Sequence, residues 1–374
     1  MRIRTYLIFF LIFGSIFVKA QQVKRPILGD TNWQDPNRGA PEKLLAFHEP
    51  TLFYENEYTG MMCFSKDGFR YVSNLFYFKL GPQLKWGISV SVYTPEGKYY
   101  LGKAEIDPKK VMFSRDSIEV RFGESYITGR NPNYKVHYVT DKVTVDLSFK
   151  SRGKIYPLAS TGLFKFGPGD KYFLEGAIAT PWADVTGSFT IEGRKRQFNG
   201  QGYIDHGRYS IPFNRHMPAW EGFIAFTWEP IGGHMYNITV FDYLTHPEFG
   251  GKRIPNLFVL KDDKIIFATP FYNLEPMDWK KEPSLNIDFP WKYTVKTVEG
   301  TECSLQGMSK AEYRWELLDI FGELPDYIRT IALKFLKRPV YWRAFGTFDG
   351  TLTCGEESVR FKGIPSFHDA NYVR

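Results

Sequence analysis

Cysteine is scarce in this chain of 374 residues, which contains Cys63, Cys303 and Cys354. So few cysteines exclude a disulfide-dense scaffold of the kind found in small secreted domains. In an oxidising compartment Cys303 and Cys354, both in strand-like C-terminal segments, could form a disulfide and leave Cys63 alone. The alternative is three buried free thiols, and the sequence leaves both open.

Signatures of common catalytic centres are missing. The sequence contains no Gly-x-Ser-x-Gly nucleophile elbow and no His-Glu-x-x-His zinc helix, and its seven histidines show no metal-ligand spacing. Segment 97–103 has the spacing of a phosphate-binding loop, but Ala104 stands where that loop needs Ser or Thr. We therefore expect no metal site and no cofactor.

A strong excess of one charge is also absent. The net charge of +7 comes from 48 basic and 41 acidic residues. Without the first twenty residues the basic count falls to 45, which lowers the net charge to about +4. This mild excess argues against nucleic acid as a partner.

Long apolar runs are scarce, and the clearest one lies at residues 6–18, after Arg2 and Arg4 and before Ala20. Thirteen residues are too few for the roughly 20 that a membrane-spanning helix needs. The pattern is typical of a cleaved secretory signal peptide at 1–20, cut near Ala20. We therefore expect a secreted or periplasmic protein.

Aromatic residues, by contrast, are abundant, with 33 Phe, 23 Tyr and 9 Trp making up 17% of the chain. Such rings favour strands and line apolar pockets. Apolar and polar residues alternate in 117–122 and 143–150, and turn signals such as Asp349-Gly350 separate runs of this kind. The sequence therefore predicts an all-β chain of many short antiparallel strands.

The length remaining after a signal peptide, about 354 residues, favours two domains, which we place at 30–214 and 215–374. One segment of the second breaks the strand pattern. Ser309 and Glu312 have capping-box spacing, and Pro325 opens a second helical pattern, so we predict a helical insertion at 309–338. The basic end of helix 325–338 is a candidate for peripheral membrane contact.

A faint internal repeat links the two halves. Gly-Ser-Phe at 187–189 leads to Asp205-His206 five and six residues after Gly200, and Gly-Thr-Phe at 346–348 leads to His368-Asp369 at the same offsets after Gly363. This self-similarity favours two copies of one β unit.

The acid and imidazole at 205 and 206 are the chief candidates for chemistry. Tyr203 and Asp205, two apart on a strand, should share a face. A desolvated carboxyl has a raised pKa and can donate a proton to an alkene or enol. The structural alternative is a buried Asp205 that accepts backbone hydrogen bonds, with His206 completing the network.

The segment GQGYIDH at 200–206, preceded by the alternating strands of 116–149, resembles the hydroxyneurosporene synthase (CrtC)/AttH-like family of lipocalin-related carotenoid hydratases. The resemblance implies two lipocalin-like antiparallel β-barrels that meet at the glycine-rich motif, and terpenoid or other long apolar ligands. It also implies Asp205 as the proton donor and Tyr203 as its motif partner.

Three functional hypotheses remain open. The first is an exported protein that binds a hydrophobic terpenoid or lipid at the barrel junction, with Trp182, Tyr203, Tyr209 and Trp220 as ligand-binding residues. The second is a hydratase or cyclase in which Asp205 protonates an isoprenoid-like double bond and His206 orients Asp205. In this hypothesis Tyr203 or Trp182 stabilises the positive charge. The third is a structural cell-envelope protein without ligand, marked by a junction filled with side chains.

Overall fold

A computed structural model describes residues 27–28, 33, 35–210, 219–319 and 339–373 of the chain. The predicted signal peptide, the domain boundary near 214 and helix 325–338 lie outside these residues. Within them, no helix is long and apolar enough to cross a membrane.

The described residues form two curled antiparallel sheets, and the all-β prediction is confirmed. Buried side chains alternate with more exposed ones along Val143–Ser151, as expected for a strand with one face in a core. Tyr236–Leu244 and Arg253–Lys261 are instead buried on both faces over most of their length. Short 3₁₀ helices lie at Pro36–Arg38, Glu42–Leu45, Pro108–Lys110, Leu158–Ser160, Pro168–Asp170 and Pro247–Phe249.

The first sheet runs in the order β4-β3-β2-β1-β13-β12-β9-β8-β7-β6-β5, with β10 and β11 also paired to β12. Its strands are β1 Tyr54–Phe64, β2 Arg70–Leu80, β3 Gln83–Tyr93, β4 Tyr99–Ile106, β5 Met112–Phe113, β6 Val120–Phe122, β7 Ser125–Arg130, β8 Asn133–Val139, β9 Val143–Ser151, β10 Tyr156–Pro157, β11 Leu163–Phe166, β12 Tyr172–Ile191 and β13 Arg194–Tyr209.

The second sheet repeats this layout in the order β17-β16-β15-β14-β22-β21-β20-β19-β18. In both sheets the last strand of the unit pairs with the first strand, β13 with β1 and β22 with β14. The strands are β14 Ala219–Phe226, β15 Tyr236–Leu244, β16 Arg253–Lys261, β17 Lys264–Thr269, β18 Tyr272–Glu282, β19 Ile287–Thr297, β20 Cys303–Asp319, β21 Pro339–Cys354 and β22 Glu357–Val373.

The helix predicted to begin at Ser309 is wrong over 309–319, where β20 pairs with β19 and β21. The Ser309 hydroxyl does not cap a helix but lies 2.6 Å from Nε2 of His368. Ser309 and Ala311 are buried while Lys310 and Glu312 are exposed, which is strand periodicity. A capping box is a local signal, and pairing with two neighbouring strands overrides it. Residues 320–338 lie outside the described chain.

The cysteine pairing left open by the sequence is settled by the strand register. Cys303 of β20 lies opposite Cys354 of β21, and the two form a disulfide. Cys63 is a buried free thiol in the core of the first sheet.

Each sheet encloses its own apolar core, and a further buried cluster lies between the sheets. We call this contact region the junction. It joins the outer faces of β1, β12 and β13 to those of β14, β21 and β22, through Met62, Phe64, Ile178, Trp182, Tyr203, Ile224, Phe226, Phe345 and Phe367.

Candidate functional site

The motif residues of β13 divide between the two faces of the strand. Side chains alternate along a strand, so Tyr203 and Asp205 share one face while Ile204 and His206 share the other. Tyr203 belongs to the junction cluster, and Ile204 belongs to the core of the first sheet. The Asp205 carboxyl therefore points toward the second sheet.

Asp205 lies in register with Gly60 of β1. The glycine leaves room for the carboxyl, because a Cβ at position 60 would collide with Oδ1 of Asp205. Burial and the nearby Asp369 carboxyl raise the pKa of Asp205 to about 7, while Arg343 and backbone N–H groups act in the opposite direction. Part of Asp205 remains accessible. A carboxyl that is partly protonated at neutral pH therefore faces the junction.

Asp369 of β22 is the counterpart of Asp205 in the second sheet. It lies in register with Gly222 of β14, as Asp205 does with Gly60. Burial raises the pKa of Asp369, although Arg343 opposes the shift. The junction thus holds two acids in equivalent positions, and ionisation of one disfavours ionisation of the other.

A buried ion pair sets the charge beside Asp369. Nε of Arg343 lies 3.3 Å from Oδ1 of Asp369, and the same guanidinium pairs with Glu316. Glu316 also accepts hydrogen bonds from Ser91 at 2.5 Å and Tyr99 at 2.9 Å. Burial opposes its ionisation, but Arg343 and the two hydroxyl donors outweigh burial and lower the pKa of Glu316. Because Ser91 and Tyr99 belong to the first sheet, this network ties the two sheets together.

Tyrosines surround the two acids. Burial raises the pKa of Tyr58, Tyr203 and Tyr243 well above the ordinary value, and the Asp205 carboxyl adds to each shift. Their phenols therefore stay protonated and can act as hydrogen-bond donors. Tyr58 and Tyr243 are only half-buried although they lie between the sheets, so solvent reaches this end of the junction.

Two of the predicted ligand-binding residues lie beside these tyrosines and acids. Trp220 hydrogen-bonds the Asp369 carboxyl, and its ring lies edge-on to Tyr341 with a centroid distance of 5.1 Å. Tyr209 lies beside Tyr58, with ring centroids 6.3 Å apart. We call this region the polar end of the junction, defined by Tyr58, Asp205, Tyr209, Trp220, Tyr243, Tyr341 and Asp369.

Trp182 lies elsewhere, in an apolar end that is filled by side chains. Its ring lies 4.7 Å from that of Phe226 and stacks on Phe64 at 6.4 Å, and its Nε1 donates to Gln201 at 2.7 Å. Trp182 is only 1% exposed. It therefore packs the interior of the junction and lies away from the partly exposed acids. At this end the molecule shows the filled contact that we gave as the mark of a structural protein.

His206 does not orient Asp205, and that part of the enzyme hypothesis is wrong. Its ring lies inside the first sheet, with Nε2 3.1 Å from Glu57 and Nδ1 3.1 Å from Thr59. Glu57 also pairs with His48 at 2.8 Å, and despite the opposing effect of burial these histidines lower the pKa of Glu57 to about 2. His206 thus belongs to a structural network on the face of β13 opposite Asp205.

Sequence reasoning missed Asp369, Arg343 and Glu316, although the repeat held the signal for the first of them. Counting five residues from Gly200 and from Gly363 matches Asp205 to His368. In the structure, however, the residue that pairs with a glycine of the first strand of its sheet is Asp205 in one sheet and Asp369 in the other. A register irregularity in the β21–β22 pairing is consistent with that offset of one residue.

A family model matches residues 93–343, about two thirds of the chain, and its family is Svf1. The chain belongs to the Svf1 family. Its curated relatives in this family include the ceramide-binding protein SVF1 of Yarrowia lipolytica, 23% identical over 216 residues, which cover 53% of this chain and 52% of that protein. The ceramide-binding protein svf1 of Emericella nidulans is 22% identical over 204 residues, 52% of this chain and 51% of that protein. The chain thus spans about half the length of these relatives.

Solved structures share the fold over almost the whole chain. CghA with Sch210972 has a TM-score of 0.61 at 12% identity, covering 93% of this chain and 98% of CghA. A putative AttH from Nitrosomonas europaea has a TM-score of 0.57 at 14% identity, with coverages of 93% and 99%. Kievitone hydratase from Nectria haematococca has a TM-score of 0.52 at 13% identity, with coverages of 93% and 97%.

These identities establish a common fold alone. The AttH-like resemblance is therefore confirmed at the level of the fold, while the family is Svf1 rather than that of the carotenoid hydratases.

Proposed function

We propose that this protein binds ceramide or a similar lipid with an uncharged polar head, and that the head lies at the polar end of the junction. One observation carries the proposal: Asp205 and Asp369 lie among tyrosines at the partly exposed end of the junction, in a protein whose curated relatives are named ceramide-binding. Hydrophobic ligand binding is the broader part of the proposal, and ceramide is its specific part.

The acids favour a neutral head over a phosphorylated one. Because burial disfavours charge on Asp205 and Asp369, their carboxyls can both donate and accept hydrogen bonds with hydroxyl and amide groups. At pH 7.5, above its pKa of about 7, the Asp205 carboxyl is mostly ionised, so an anionic phosphate beside it would meet like charge in a partly dehydrated site, which is strongly unfavourable. The phenols of Tyr58 and Tyr243 add donors without adding charge.

A binding titration tests this proposal. We expect saturable binding of fluorescent ceramide at pH 7.5, and at least about tenfold weaker competition by ceramide 1-phosphate than by unlabelled ceramide. Asp205→Asn removes one charge, so it should reduce the difference in affinity between ceramide and ceramide 1-phosphate while sparing the affinity for ceramide. Asp146→Asn, a half-exposed residue of β9, is the matched control. Absence of saturable binding by the wild-type protein would contradict the proposal.

Acid catalysis is a second candidate, favoured by the partial accessibility of Asp205 and its pKa of about 7. The carboxyl would protonate an isoprenoid-like double bond, and water or an internal alkene would capture the resulting cation. Loss of a proton from that adduct to the Asp205 carboxylate would give the neutral product and restore the acid. Incubation with such an alkene in D₂O should then give deuterated product with wild type and none with Asp205→Asn. Unlabelled alkene recovered from both proteins would rule this function out.

We also propose that the protein is exported. The Cys303–Cys354 disulfide supports this, because disulfides persist in oxidising compartments. Fractionation of the native host should find the protein outside the cytoplasm and shortened near Ala20. Full-length protein in the cytoplasmic fraction would contradict export.

A further inference from the structure

The second sheet carries a row of polar groups across three strands at the polar end of the junction. Asn371 of β22 lies in register with Trp220 of β14 and Tyr341 of β21. The next row toward the apolar end contains Gly222 of β14, Asp369 of β22 and Arg343 of β21. Asn371 and Asp369 are two residues apart on β22, so they share the junction face.

Asn371 is fully buried, yet neither its amide oxygen nor its amide nitrogen has a hydrogen-bond partner among the described residues. Oδ1 of Asp369 and Nε of Arg343 form the ion pair described above, at 3.3 Å, but neither atom makes a hydrogen bond within the described part of the chain. Buried polar atoms without partners destabilise a folded protein, and their clustering within two adjacent rows calls for a functional reason.

The first sheet offers no equivalent group. The position that corresponds to Asn371, two residues after the aspartate, is Gly207 in β13. A Cβ there would lie 2.7 Å from the Tyr58 ring, so Tyr58 occupies the space that a side chain would need. The two sheets share one layout, but the buried amide at this position is present in the second sheet and replaced by a glycine in the first.

We propose that Asn371, Asp369 and Arg343 bind the polar end of the lipid and select a head that combines a secondary amide with hydroxyl groups. This inference rests on the proposed lipid binding and assigns its specificity. Asn371 supplies an acceptor oxygen and an NH₂ group with two donor hydrogens, Asp369 an acceptor and Arg343 a donor. A ceramide head offers an N–H, a C=O and two hydroxyls, which can satisfy such a set. A diacylglycerol head offers ester carbonyls and one hydroxyl, so it leaves acceptors unpaired.

The test compares ceramide and diacylglycerol as competitors against fluorescent ceramide, with wild type and Asn371→Leu. We expect wild type to prefer ceramide by at least about tenfold, and the variant to lose that preference through weaker ceramide binding. The lipid-free variant should be at least as stable as wild type, since leucine removes two unpartnered polar atoms. Asn237→Leu is the matched control, a fully buried asparagine of β15 whose side-chain nitrogen also lacks a partner.

The outcomes separate this inference from the proposed function. If Asn371→Leu keeps the wild-type preference, the inference is wrong while lipid binding stands. If wild type binds neither lipid, both fail. Should the leucine variant not fold, Asn371→Ala removes the same atoms with less bulk, and the same loss of preference is expected.

Discussion

Replacing Asp205 by Asn should change how the stability of the protein depends on pH. The substitution keeps the size of the side chain and removes its titration. In the folded protein burial and Asp369 raise the pKa of Asp205 from an ordinary 3.8 to about 7. Between these values the folded state holds a proton that the unfolded state has released, so wild type loses stability as the pH rises through this window.

The magnitude follows from the width of the window. About three pH units at about 1.4 kcal/mol each give a loss of about 4 kcal/mol for wild type relative to Asp205→Asn between pH 4 and pH 7. The relative loss should begin near pH 4, grow across the window and level off above pH 7. Below pH 4 the free energies of unfolding of the two proteins should change with pH in the same way, since the Asp205 carboxyl is then protonated in both the folded and the unfolded state.

Urea unfolding at several pH values between 4 and 8 measures this difference directly. The control is Asp146→Asn, which removes a half-exposed carboxyl that pairs with His137. A difference between wild type and Asp205→Asn that stays constant with pH would refute the reasoning about burial. If Asp205→Asn is instead several kcal/mol less stable at every pH, the carboxylate is a structural hydrogen-bond acceptor.

Other changes probe the framework of the site. Replacing Cys303 and Cys354 by Ala should lower the free energy of unfolding by about 4 kcal/mol, because the disulfide closes a loop of 51 residues; an unchanged urea midpoint would contradict this. Glu316→Ala leaves buried Arg343 with the Asp369 carboxyl but without its Glu316 partner, and should cost about 3–5 kcal/mol in the same assay; a cost below 1 kcal/mol would show that the network is dispensable. Gly60→Ala forces a methyl group against Asp205, so it should cost about 1–3 kcal/mol and weaken ceramide binding; wild-type stability and binding would argue against the close contact.

The sequence predicted the strands well because alternation reports which face of a strand is buried. The segment 143–150 alternates in sequence, and in the structure its apolar side chains are buried while its polar ones are half-buried or exposed. The same logic predicted that Tyr203 and Asp205 share a face, as the structure places them. Pairing partners, in contrast, depend on contacts between residues far apart in the chain.

Two errors show that limit. The helix predicted at Ser309 failed because a capping signal covers four residues, whereas β20 is fixed by two neighbouring strands. Asp369 was missed because an offset counted along the chain ignores register irregularities, and Arg343 lies 26 residues earlier in a strand that only folding brings alongside. The orientation of His206 away from Asp205 follows from alternation and could have been predicted.

A photoreactive ceramide tests the central claim most directly, because it reports where the lipid head lies. Irradiation of the complex followed by peptide mass spectrometry should place the label on β13 and β22, near Asp205 and Asn371, and excess unlabelled ceramide should suppress it. Label confined to the exposed β18–β19 hairpin, or label that unlabelled ceramide does not suppress, would contradict a binding site at the junction.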